Sequence, residues 1–86
     1  MTTDSAIMAI SQEQRVETAH QVQDVLTQYG CYIRVRLGLH DSMVDTCSPK
    51  GLILLQLYGD CVPLQEIEEA LSAIPSVKVK YMTLDF

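Results

Sequence analysis

The order in which apolar spacing changes along this chain leaves few folds open. Residues 5–10, Ser-Ala-Ile-Met-Ala-Ile, are largely apolar and read as a short strand. Val16, Ala19, Val22, Val25, Leu26 and Tyr29 then recur at helical spacing, with Gln12, Glu13, Glu17, Gln21 and Asp24 on the polar side. Ser11 followed by Gln14 matches a capping box for that helix, and Gly30 is a natural stop. Residues 31–37 return to alternation: Cys31, Ile33, Val35 and Leu37 on one side, Tyr32, Arg34 and Arg36 on the other. Residues 52–58 are almost continuously apolar, as a strand in the middle of a sheet would be. Gly59-Asp60 breaks that run. Pro63 suits the first turn of a second helix, whose apolar stripe is Leu64, Ile67, Leu71 and Ile74, with Glu66, Glu68 and Glu69 in water. Residues 77–82 alternate once more, Val77, Val79 and Tyr81 against Lys78, Lys80 and Met82. The sum is β-α-β-β-α-β, the ferredoxin-like α+β plan: a four-stranded antiparallel sheet with two helices on one face. Right-handed crossovers place the first and third strands in the centre.

Length and charge narrow the function. A chain of 86 residues has enough material for one core, so residues 5–86 are read as one domain behind a flexible residue 1–4 tail. The net charge of -5 disfavours sequence-independent binding of nucleic acid or anionic membrane. No apolar run reaches the length of a bilayer span, and the N-terminus lacks the basic region of a signal peptide, so the expected location is the cytoplasm. Cys31, Cys47 and Cys61 are odd in number and lack C-x-x-C spacing, which fits reduced thiols. Cys31, alternating with core positions, is expected to be buried.

With both helices on one face, the other face of the sheet is open. If Ile33, Val35, Val77 and Val79 face the helices, the open face holds Tyr32, Arg34, Arg36, Lys78, Lys80 and Met82, with Leu52, Leu54, Gln56 and Tyr58 at its centre. An apolar centre of this kind is expected to be covered by a second copy of the chain, with Tyr32, Arg34, Leu52, Leu54 and Tyr58 at the interface. The alternative is an RRM-like RNA platform, but no RNP1-type run is present.

No phosphate loop, nucleophile elbow or H-E-x-x-H motif occurs, and the chain is expected not to be an enzyme. His40 and Cys47 supply two of the three or four ligands that a metal centre needs; a metal-sensing domain is a further alternative, and the expectation is no bound metal or other cofactor. A ligand site, if present, belongs at residues 38–47 and the end of the second strand. There Arg36 offers a bidentate donor to a carboxylate, Gly38 allows close backbone approach, and His40 stands alongside.

Gln28-Tyr29-Gly30, Ile33, Arg36-Leu37-Gly38-Leu39, the apolar run 51–57, and Leu71-x-x-Ile74-Pro75-x-Val77-Lys78-Val79-Lys80 resemble the small ACT-like proteins known as iron-only hydrogenase system regulators. The resemblance spans residues 7–83, with His40 where that family has proline. It implies a ferredoxin-like ACT fold, assembly as a dimer or tetramer through the sheet or its edges, and a regulatory role near hydrogenase maturation. The partner or effector is left open.

Overall fold

The computed structural model describes residues 3–39 and 50–84. The elements are β1 (Thr3–Gln12), α1 (Arg15–Gln28), a short 3-10 turn (Gly30–Tyr32), β2 (Ile33–Leu39), β3 (Gly51–Asp60), α2 (Leu64–Ser72) and β4 (Val77–Leu84). The sheet runs β2-β3-β1-β4, with every neighbouring pair antiparallel. This is the ferredoxin-like order, and the two strands apolar on both faces are the two central ones.

The core lies between the sheet and the helices. β1 contributes Ala6, Met8 and Ile10, and β3 contributes Ile53, Leu55 and Leu57, alternating as a pleated strand requires. Against them pack Val22, Leu26 and Tyr29 from α1 and its cap, and Ile67, Leu71 and Ile74 from α2 and its end. The α2 stripe is as the spacing predicts. The α1 stripe is narrower: Val16 is 80% exposed and Ala19 is exposed, whereas Thr18 is buried.

The start of α1 corrects the capping-box expectation. Ser11 belongs to β1, and Gln14 is the N-cap without any side-chain cap. The strand runs past Ile10 because Ser11 and Gln12 still pair with Leu52 and Gly51 on β3. The turn is held instead by the Glu13 N–H, which donates to Ser76 O at 3.1 Å, and by Thr18 Oγ1, which donates to Gln14 O at 2.8 Å. Pro63 likewise sits at the N-cap of α2 rather than inside its first turn. Before it, Cys61 takes a φ of 54°, and the Val62 N–H donates to Asp4 Oδ2 at 3.0 Å. That bond ties the β3–α2 turn to the beginning of β1.

The helices are joined by Tyr29, whose hydroxyl donates to Glu66 Oε2 at 3.0 Å. Burial, then the hydrogen bond and negative charge of Glu66, hold the Tyr29 hydroxyl above its ordinary value of 10.0. The protonated form is therefore favoured by folding. Its contribution is complete below the unfolded value and is lost as pH rises through the higher folded one. Urea midpoints measured at neutral and strongly alkaline pH are expected to fall further for the wild type than for Tyr29→Phe. Equal losses would remove Tyr29 from the account.

β2 departs most from its sequence pattern. Ile33 is opposite Leu57 and Val35 is opposite Gln56, so two steps on β2 match one on β3, and Arg34 is the extra residue of a β-bulge. A one-residue slip turns every later side chain to the other face. Val35 and Leu37 therefore face the open side, not the helices. Arg36 points to the helix side, where its Nη1 donates to Gln23 Oε1 of α1 at 2.6 Å. Tyr32 is not on the open face either: it lies in the 3-10 turn, half-buried against the core. The same turn takes up Cys31, which is exposed rather than buried.

Candidate functional site: an apolar sheet face and a cationic cleft

The registers place the open face in rows across β2, β3, β1 and β4. One row is Leu39, Leu52, Ser11, Lys78; the next is Leu37, Leu54, Ala9, Lys80; the third is Val35, Gln56, Ile7, Met82. Tyr58, Ser5 and Leu84 complete a fourth, with Arg34 stacked over the Tyr58 ring at 4.3 Å. Val35 is 51% exposed, Leu37 50% and Met82 61%, with Leu39, Leu52 and Tyr58 also open to solvent. Ile7, Ala9 and Leu54 are half-buried beside a shallow apolar depression of about 400 Å³ rimmed by Lys80 and Met82. The bulge thus extends the aliphatic area onto β2, beyond the Leu52–Leu54 centre expected from the sequence. Arg34, Lys78 and Lys80 are the described cations on this face, and Asp60, opposite Thr3, continues the β3 series of Leu52, Leu54, Gln56 and Tyr58 at its far end.

The second feature is a cleft of about 360 Å³ between the start of α1 and the end of the β2–β3 pair. Arg36 and Gly38 line it, so the structure brings together two of the three ligand residues expected from the sequence. His40, the third, lies outside the described residues, as does Cys47. Among the described residues no group of three or more potential metal ligands converges.

Sequence reasoning missed Gln12 and Arg15, which line the same cleft. Gln12 is 3% exposed and its Nε2 donates to Thr18 Oγ1 at 3.3 Å. Arg15 Nε is buried and has no hydrogen-bond partner among the described residues. Gly51 makes room for this arginine: a Cβ on Gly51 would stand 2.8 Å from Arg15 Cδ. One signal for Gln12 is in the sequence. It continues the helix-facing series Ala6, Met8, Ile10, and a polar residue in phase with a core strand calls for a polar neighbour.

Sheet order, helix placement and one open face define an α+β domain of the ferredoxin-like class. The chain is similar to the uncharacterized protein TM1266 of Thermotoga maritima, with 24% identity and a TM-score of 0.83, over 98% of this chain and 100% of that one. It is also similar to an unknown protein of Galdieria sulphuraria, with 13% identity and a TM-score of 0.67, over 99% of this chain and 47% of that one. A dimeric ferredoxin-like protein of unknown function from Thermobifida fusca is more distant, with 11% identity and a TM-score of 0.44, over 93% of this chain and 92% of that one. No family model and no curated protein matches. The first two likenesses show the fold. Among the described residues, no helix is long and apolar enough to cross a membrane.

Proposed function

We propose that this chain is a small regulatory, effector-sensing ACT-like domain, a binding module rather than an enzyme, that works in the cytoplasm as a homo-oligomer. The observation that carries the reading is the open face, where Leu37, Leu54 and Ala9 form an aliphatic row across β2, β3 and β1, extended by Leu39 and Leu52 on one side and by Val35 and Ile7 around Gln56 on the other. A continuous apolar surface of this kind is stabilised by being covered. The chain itself offers a matching surface under two-fold symmetry, which requires one patch to be self-complementary.

The cleft adds the sensing half. Leu39 and Leu52 line the cleft and also form the first row of the open face. A ligand that orders them changes the surface on which the second copy rests. Effector binding and assembly are then coupled, each shifting the other by the same free energy.

An RNA platform uses the same face differently. It needs rings on the central strands for bases to stack on. Here β1 and β3 present Ile7, Ala9, Leu54 and Gln56, with Tyr58 at the margin. That set favours a protein partner over bases.

The link to the iron-only hydrogenase system rests on the resemblance of Arg36-Leu37-Gly38-Leu39 and Ile74-Pro75-x-Val77-Lys78-Val79-Lys80 to that family. Deleting the gene in a host that makes such a hydrogenase is expected to alter the hydrogenase activity per cell. Unchanged activity and unchanged hydrogenase abundance would separate the chain from that system.

A further inference from the structure

We infer that the cleft between α1 and the β2–β3 end binds a small α-hydroxy carboxylate and discriminates against the corresponding α-amino acid. The inference deepens the effector-sensing reading and rests on it only for what binding does, not for binding itself.

The charge comes first. Two guanidinium groups, Arg15 and Arg36, line one cleft, and no carboxylate among the described residues lines it with them. Arg36 is held by a neutral acceptor, Gln23 Oε1. Arg15 has a buried Nε without a partner among the described residues. Two like charges lining one cleft without a described counter-charge make it gain by accepting an anion. Guanidinium donors match the planar fork of a carboxylate.

The second group is Gln12. Its Nε2 is committed to Thr18 Oγ1, whose own proton goes to Gln14 O. That fixes the amide orientation and leaves Oε1 as an acceptor on the Gly51 side, 3.3 Å from where a Gly51 Cβ would be. An acceptor beside a carboxylate site takes a hydroxyl or an ammonium. The two arginines decide between them. An ammonium would be repelled by both and would find no described carboxylate to neutralise it, whereas a hydroxyl loses nothing. Val22 and Ile53 supply an apolar wall for a short aliphatic tail, and the volume of about 360 Å³ is at the small end of ligand sites.

Lactate and alanine differ at the deciding group and share shape and carboxylate. The test is an amide NMR titration of the full chain with lactate, alanine, propionate and inorganic phosphate. Lactate is expected to move the amides of Gly38, Gly51 and Ile53. Alanine is expected to bind at least about tenfold more weakly, and propionate between the two. Arg15→Gln and Arg36→Gln are each expected to weaken lactate by about tenfold or more. Arg36 is exposed, so its variant keeps the fold even if Arg15→Gln does not. The inference is overturned if lactate moves none of these amides, if alanine or phosphate binds as tightly, or if Arg36→Gln leaves lactate affinity unchanged. Sedimentation with and without saturating lactate separates the two claims. Binding that leaves the assembly unchanged keeps the site and contradicts the regulatory reading.

Discussion

Replacing Leu37 by glutamate is expected to leave the domain folded and to turn the assembly into monomers. Leu37 lies on β2, an edge strand, and is half exposed in the single chain. A carboxylate there meets water on the free domain, and exposed substitutions of this kind change stability by about 0.5 kcal/mol or less. In the assembly the same carboxylate would be desolvated against a second aliphatic surface. The cation in Leu37's own row, Lys80, is the width of the sheet away, in the β4 position. An unpaired buried charge costs several kcal/mol, so association should weaken by about a hundredfold or more. The substitution also tests the bulge. Without the extra residue at Arg34, Leu37 would face the helices, and Leu37→Glu would unfold the chain instead. Circular dichroism separates those outcomes.

Leu57→Ala is expected to have the largest effect on stability. Leu57 is fully buried at the centre of the sheet, opposite Ala6 on β1 and Ile33 on β2. Truncation removes three carbons and leaves a cavity that a close-packed core cannot refill, at a cost of about 2–5 kcal/mol. A domain of this size has about 4–13 kcal/mol in all. The melting temperature should fall by about 10 °C or more, measured at one fixed protein concentration because assembly itself raises it. A loss below about 1 kcal/mol would mean that β3 turns the other face inward.

The same two residues show what the amino-acid pattern could and could not reveal. Leu57 was legible because β3 has one polar side chain among its central residues, Gln56, which fixes the face and leaves Ile53, Leu55 and Leu57 for the core. Sheet order followed from the double-sided strands and crossover handedness, and the α2 stripe from its spacing. Leu37 was not legible. Ile33, Val35 and Leu37 alternate without interruption, and a bulge adds its residue without disturbing that alternation. Only the pairing with β3 shows that Ile33 is on one face and Val35 and Leu37 on the other. The capping box failed for a related reason. Ser11 and Gln14 have the correct local chemistry, but pairing of β1 with both neighbours extends the strand through Gln12 and outweighs a single cap.

Half of the candidate ligand site was legible too. Arg36 and Gly38 were expected at one site and share the cleft, although Arg36 reaches it from the helix side of the sheet. Arg15 was not. It sits in the first turn of α1, where nothing in its spacing distinguishes it from a solvated residue. Its partner in space, Gly51, is far away in sequence, and the close approach of Arg15 Cδ to Gly51 exists only after the sheet has formed.

Sedimentation equilibrium of the unmodified chain, from low to high micromolar concentration, bears most directly on the claim that the open face joins copies of this protein. A mass of at least two chains is expected over that range, falling to one chain in Leu37→Glu with the helical signal unchanged. A wild-type protein that stays monomeric at high micromolar concentration would contradict it.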